Sequence, residues 1–254
     1  MLELYHWEPN AACARVLITL KEKGLEFNSR YVDVLAFEQH TPEFLKLNET
    51  GETPVLVRDG EAYFESSYIC EYLDEAFPEV PLMPSDPLGR WEARVWQKFV
   101  DDYIAACVSD LAWNAYGETA QEGRNLDFAN AVSTIKSKER RDLWTSALAG
   151  FDAETLDRSR SRLKDLIGKM ETDLARSGWL AGPGYSLADI AVFSYVNYLP
   201  RLMADVLNAT AAPRVTAWLK TVAARPAVKA ALAMSRAPDP YTIAAPGPEH
   251  VRWG

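Results

Sequence analysis

A chain of 254 residues, 48% hydrophobic and 25% charged, has the composition of a water-soluble globular protein large enough for one big domain or two modest ones. A formal net charge of -9 without any clustered basic run argues against a nucleic-acid partner. Met1 to Trp7 lacks a secretory pattern, no apolar run of about 18 residues suits a membrane span, and three cysteines (Cys13, Cys70, Cys107) without metal-like spacing fit a reducing cytoplasm.

Leu2 to Tyr5 reads as a short strand, and Ala11 to Lys23 as a helix with Val16, Leu17 and Leu20 at helical spacing, stopped by Gly24. Phe27 to Val34 alternates as a second strand, and Pro42 to Leu47 is a short helix. The most informative stretch follows. Thr53-Pro54 leads into a Val55-Leu56-Val57 strand, Asp59-Gly60 turns the chain, a second strand returns, and Glu65-Ser66 opens a helix running to Ala76. The proline pushes Thr53 into an extended conformation that leaves its peptide groups at an open edge. Free N–H groups at the Ser66 helix start suit a carboxylate. An open peptide edge beside an anion-binding helix start is a place for a small extended peptide, so a peptide-like cofactor is expected. The order is βαβ-α-ββα, with the first unit parallel and the hairpin antiparallel.

Four prolines between Pro78 and Pro87 mark a linker, and beyond it no strand pair is evident. Leu88 to Trp113 reads as one long helix, with Trp91, Trp96 and Phe99 on a stripe that is core or interface. Ala120 to Lys138 is polar and weakly periodic, as in an irregular loop. Asp152 to Ala175 is a helix capped by Asp152, Ser186 and Asp189 form a capping box before Ile190, and Pro213 to Ala224 and Pro226 to Met234 close the chain. The expected division is a first domain over 1–80, a linker over 81–87 and an all-helical domain over 88–254. Cys70 and Cys107 lie on apolar helix faces, and Ser186 and Asp189 read as structural. His6 and His250 have no partner pattern, so neither a histidine triad nor a metal site is expected.

An α/β unit followed by a proline-rich linker and a helical remainder, with Thr53-Pro54, Glu65-Ser66 and the capped Ser186 helix in order, resembles the glutathione transferase superfamily. The resemblance implies a thioredoxin-like first domain that binds glutathione and a C-terminal helical bundle that walls the electrophile site. It implies that Thr53-Pro54 is cis, with the Thr53 backbone against the cysteinyl unit. It places Glu65 and Ser66 at the γ-glutamyl end, and Gln39 and His40 at the glycyl end. Glu52 stands where many relatives carry a neutral or basic residue. Stretches such as Glu22 to Phe27, Phe37 to His40, Arg94 to Asp101 and Tyr185 to Ile190 resemble the bacterial glutathione-dependent β-aryl etherases of lignin degradation. That likeness implies an aromatic ether substrate and a two-fold homodimer.

The reaction needs a thiolate at neutral pH, where a free thiol is mostly protonated. The sulfur is expected at the turn from Pro9 to Arg15. Related etherases carry Asn-Ser where this chain has Ala12-Cys13, so a serine hydroxyl is missing. Cys13 is then a weak donor to the sulfur, a thiolate forming a mixed disulfide, or a small buried residue. Asn10 can donate its amide to the sulfur, and backbone N–H groups at Ala12 need no side chain. An aromatic pocket is expected from Trp7, Trp113, Asn114 and Tyr116, with Trp144, Tyr195 and Tyr198 further off, core packing being the plain alternative for each. The expected activity is displacement of a phenolate from the β-carbon of an aryl ether ketone by the glutathione thiolate. A thiol oxidoreductase or reductive dehalogenase working through Cys13, and a glutathione-binding carrier without turnover, are the alternatives.

Overall fold

Residues 1–122, 126–237 and 239 are described by a computed structural model of the chain. The first part runs β1 (Leu2–His6), α1 (Ala11–Glu22), β2 (Asn28–Tyr31), α2 (Pro42–Leu45), β3 (Val55–Arg58), β4 (Glu61–Tyr63) and α3 (Ser66–Ala76). The sheet order is β2-β1-β3-β4, with β1 parallel to β2 and antiparallel to β3, and β4 antiparallel to β3. This is the thioredoxin-like arrangement expected. Alternation along β1 decides its two faces. Leu2 and Leu4 join Leu56 and the α1 and α3 side chains in the main core, whereas Tyr5 packs with Val32, Phe44 and Val55 beneath α2. Asp59 and Gly60, both with positive φ (54° and 92°), make the tight hairpin. The second strand is shorter than its alternation suggests, because Asp33 accepts N–H bonds from Leu35 and Ala36 and folds the chain into a 3-10 turn.

The linker is pinned rather than slack. Buried Asp74 of α3 accepts from the Leu82 and Met83 N–H groups at 2.7 and 3.0 Å and from Lys23 Nζ at 3.0 Å. Lys23 also donates to the Val80 carbonyl at 2.6 Å, so both buried charges have several partners.

Helices α4 (Pro87–Phe99), α5 (Ala105–Gln121), α6 (Phe128–Ser133), α7 (Lys138–Ala149), α8 (Ala153–Ser177), α9 (Leu187–Val196), α10 (Leu199–Leu202), α11 (Pro213–Ala224) and α12 (Pro226–Leu232) follow. α9 is buried along its whole length and packs on α1, joining the two parts in one core. Its capping box forms as expected, and Asp189 reaches further, accepting from the Leu180 N–H and from Trp218 Nε1 at 3.2 and 2.9 Å. No helix among the described residues is long and apolar enough to cross a membrane.

Two expectations need correction. The stretch from Leu88 to Trp113 is interrupted by a π-helical turn at Val100–Ile104, within which Asp101 pairs with Arg15 of α1. The segment 120–138 is not simply an irregular loop: α5 reaches Gln121, and Asp127 caps α6 by accepting from the Asn130 N–H at 3.0 Å. Six residues are too few to display a helical stripe, and of them only Val132 is buried, within the second core; residues 123–125 lie outside the described set. Of the stripe read as core or interface, Trp96 is buried, Phe99 half-buried and Trp91 61% exposed. His250 lies outside the described residues.

Candidate functional site

The site begins where β1 delivers the chain to α1. Asn10 is extended (φ -128°, ψ 160°) and its side chain does not cap the helix. Ala11, the first helical residue, has φ 42°, a left-handed conformation that a non-glycine residue adopts only under constraint. Asn10 is fully buried, and its side-chain oxygen and nitrogen both lack a hydrogen-bond partner. A buried amide left in that state costs on the order of 1–3 kcal/mol, so it marks a place shaped for something else.

The turn is held from behind by Glu8. This buried carboxylate accepts from Tyr31 Oη at 2.6 Å, from Ser235 Oγ at 2.6 Å and from the Arg236 N–H at 3.1 Å. The Arg236 guanidinium lies 3.8 Å over the Tyr31 ring, so residues near the end of the described chain clamp the turn. Nothing in the local sequence signals this contact, which spans more than two hundred residues.

Cys13 lies one turn into α1. Its sulfur accepts from the Trp7 N–H at 3.4 Å, and its S–H donates to Thr53 Oγ1 at 3.5 Å. Burial pushes the thiol up to about 11, with the Thr53 and Trp7 hydrogen bonds offsetting only part of that. At neutral pH it is therefore a thiol, which counts against the mixed-disulfide reading. Ala12 is half-buried beside it. Thr53-Pro54 is cis, as the resemblance implied.

At the other end, Glu65 precedes α3 with φ 67°, a second strained residue at a helix start. The Ser66 hydroxyl accepts from Arg15 Nη1 at 3.3 Å, and the same nitrogen donates to Asp101 at 2.8 Å. Burial alone would lower the Arg15 pKa, but the charge of Asp101, with smaller contributions from Tyr195 and Cys70, holds it above its ordinary value. Arg15 was not anticipated. Its signal was a charge inside the otherwise apolar run Ala14-Arg15-Val16-Leu17, which only a buried partner permits.

Gln39 is buried, with Nε2 donating to the Val34 carbonyl at 3.3 Å and Oε1 without a partner. His40 is half-buried against Phe37, ring centroids 6.0 Å apart. Gly51 fits beside it because a Cβ there would lie 2.8 Å from the His40 ring, and its φ of +70° suits glycine.

The substrate candidates do not gather in one open pocket. Trp7 and Trp113 are buried in a second core with Cys13, Phe37 and Trp144, where Trp113 meets Trp144 edge-on at 5.3 Å and Phe37 lies 4.7 Å from Trp144. Tyr116 is half-buried and Asn114 exposed. Tyr195 is buried under the Arg15 guanidinium, and Tyr198 is buried too. Among the described residues no group of three or more His, Cys, Asp or Glu side chains could hold a metal ion.

A thioredoxin-like domain with a cis-proline before β3 and helices α1 and α3 packed on its sheet, joined to a helical domain, is the architecture of a glutathione transferase. Residues 4–81 match the family model for the glutathione S-transferase N-terminal domain, and residues 104–226 match the one for its C-terminal domain. Protein LigF of Sphingobium sp. strain SYK-6 is 39% identical over 246 residues, covering 94% of this chain and 95% of LigF. The crystal structure described as the beta-etherase LigF superposes with a TM-score of 0.85, covering 92% of this chain and 99% of that one. A Burkholderia graminis glutathione transferase, solved with two glutathione molecules per subunit, is 28% identical with a TM-score of 0.69, covering 92% of this chain and 88% of that one. The chain belongs to the glutathione S-transferase family. It is an enzyme of that family, and glutathione is its thiol co-substrate.

Proposed function

We propose that this transferase is a β-etherase, in which glutathione thiolate attacks the β-carbon of an aryl ether ketone and displaces a phenolate. The sulfur–carbon bond forms as the carbon–oxygen bond breaks, and the phenolate leaves with the bonding electron pair. The adjacent carbonyl makes the carbon electrophilic, and a phenolate is a tolerable leaving group. The observation that carries this reading is the buried, unpartnered Asn10 amide beside the uncapped start of α1. Its N–H group and the helix N-terminus supply donors to a thiolate sulfur where a hydroxyl is missing. Similarity to LigF over nearly the whole chain supports the ether as substrate.

In this reading Thr53 holds the cysteinyl unit, with Pro54 shaping its loop. Glu65 pairs with the γ-glutamyl ammonium, and Ser66, with Arg15 behind it, holds the carboxylate. Gln39 and His40 receive the glycyl end. Cys13 is a neutral wall of the sulfur site, which disfavours an oxidoreductase working through it. Trp7, Trp113, Asn114 and Tyr116 are assigned to the electrophile side, Trp7 and Trp113 from within the buried second core and Asn114 and Tyr116 nearer solvent. Residues 1–80 form the glutathione domain, 81–87 the linker and 88–254 the electrophile domain. Three free, buried cysteines support a reducing cytoplasm. An apolar stripe on α4, with Leu88 65% and Trp91 61% exposed, supports pairing as a two-fold homodimer. The test is product analysis of a racemic β-aryl ether ketone incubated with glutathione. Free phenol and a glutathione thioether in equal amounts are expected; no phenol release beyond the enzyme-free control overturns the reading.

A further inference from the structure

The turn between β1 and α1 is tied into the helix that follows it. The Glu8 carbonyl accepts from the Asn10 N–H at 2.7 Å, and the Asn10 carbonyl accepts from the Ala14 N–H at 3.0 Å. Between them Ala11 keeps its φ of 42°, a conformation that persists in a non-glycine residue when its surroundings fix it. The Glu8 side chain, in a residue 2% exposed, supplies that fixing. Its Oε1 accepts from Tyr31 Oη and its Oε2 from Ser235 Oγ, both at 2.6 Å. The Arg236 N–H donates to Oε2 at 3.1 Å and to Oε1 at 3.3 Å.

Two of these three donors come from the far end of the described chain. Ser235 Oγ accepts from the Ala237 N–H at 3.1 Å, and its own proton goes to Glu8, the nearer acceptor, rather than to the Ala237 carbonyl at 3.3 Å. Both residues follow shortly on α12, which packs against α1. One helix is thus braced along its side by α12 and at its start by the segment leaving α12. A carboxylate in this place also has an electrostatic effect. The Cys13 thiol, raised chiefly by burial, is raised further by the Glu8 charge. His6, Tyr31 and Arg236 are the other titratable or charged groups that Glu8 faces. A thiolate gains nothing from an acidic neighbour, so what Glu8 contributes to the sulfur site is the position of the turn.

We propose that Glu8 and Ser235 are positioning residues for the sulfur site: their hydrogen bond docks the segment after α12 onto the turn and so fixes the Asn10 amide and the first N–H groups of α1 against the glutathione sulfur. The inference rests on the reading that glutathione is activated at this turn, and adds what holds the turn in place. It is tested by ultraviolet titration of the thiolate of glutathione bound to the full-length enzyme, in wild type, Ser235→Ala, Ser235→Thr and Glu8→Gln. That readout needs no electrophile. Ser235→Ala, which keeps the carboxylate, is expected to move the titration midpoint up by about one pH unit, with the glutathione Kd within about twofold of wild type. Ser235→Thr restores the hydroxyl and should return the midpoint to within about a third of a unit of wild type. Glu8→Gln separates position from charge. Its amide cannot accept from all three donors, so the midpoint should rise even though a negative charge has gone. A fall of the midpoint in Glu8→Gln overturns the proposal. So does a Ser235→Ala variant that loses thermal stability while its midpoint stays in place. Wild-type enzyme whose bound glutathione titrates like the free thiol overturns the sulfur site together with the proposal. The expected shifts, found in an enzyme that releases no phenol from the ether, support the proposal and overturn the ether as substrate.

Discussion

Asn10 and Cys13 sit three residues apart, and their burial assigns them opposite roles. Asn10 has hydrogen-bonding capacity and no partner, whereas Cys13 has two partners and a thiol pushed up to about 11. Removing an unpartnered buried amide forfeits no hydrogen bond, so Asn10→Ala is expected to leave thermal stability unchanged or slightly higher. Activity should nevertheless fall about tenfold to a hundredfold, and the thiolate absorbance of enzyme-bound glutathione should shift to higher pH. Cys13→Ala should keep ether cleavage within about threefold of wild type, because backbone donors need no side chain. Loss of stability without loss of activity in Asn10→Ala, or abolished cleavage in Cys13→Ala, would reverse these assignments.

Among the elements, α9 is the one whose ends and burial are tied most directly to a titrating group. Burial raises the Asp189 carboxyl to about 6 from an ordinary 3.8, despite hydrogen bonds from Trp218, Leu180 and Ser186. A carboxyl whose pKa rises on folding contributes stability that is present below 3.8 and lost as pH climbs through 6. Measured by urea unfolding from about pH 4 to about pH 7, wild type should therefore lose roughly 2 kcal/mol relative to Asp189→Asn. Asp189→Asn will be less stable at every pH, since it forfeits a capping acceptor, so the difference in slope is the readout. Parallel stability curves for the two proteins would show that the carboxyl stays ionised throughout. α6 and α7 present the contrary case, for they are defined by what they cover. Val132, Ile135 and Trp144 are buried because Phe37, Trp7 and Trp113 lie against them.

For the whole molecule, the α4 surface is the face that the proposed homodimer would cover. Leu88, Trp91 and Val95 are 65%, 61% and 42% exposed at positions i, i+3 and i+7, a stripe that the described residues leave uncovered. Phe64 and Tyr68, 42% and 68% exposed, offer a complementary apolar patch on the first domain. Two-fold pairing would bring one patch of each kind together twice. Trp91→Glu is expected to convert a dimer into a monomer at micromolar concentration in sedimentation velocity, with secondary structure retained. A wild type that sediments as a monomer would rule out the arrangement.

What the sequence determined by itself was whatever depends on neighbours in the chain. The Thr53-Pro54 hairpin with its Asp59-Gly60 turn, the helix start at Ser66, the capping box at Ser186 and Asp189 and the proline-rich boundary are all made by residues a few places apart, and their signals are local backbone sterics and capping bonds. Thr53 and Ser66 were singled out from the same local signals, whereas Gln39 and His40 entered only through the family resemblance. Tertiary structure alone decided which charges are compensated. Arg15 in the core pairs with Asp101, Glu8 holds the site turn against Ser235 and Arg236, and Glu52 pairs with Arg140. Each of these pairs spans dozens to hundreds of residues, and burial, which makes an unpaired charge intolerable, exists only once the chain has folded. The same holds for Trp91, whose spacing fits core or interface equally and whose exposure is settled by what packs beside it.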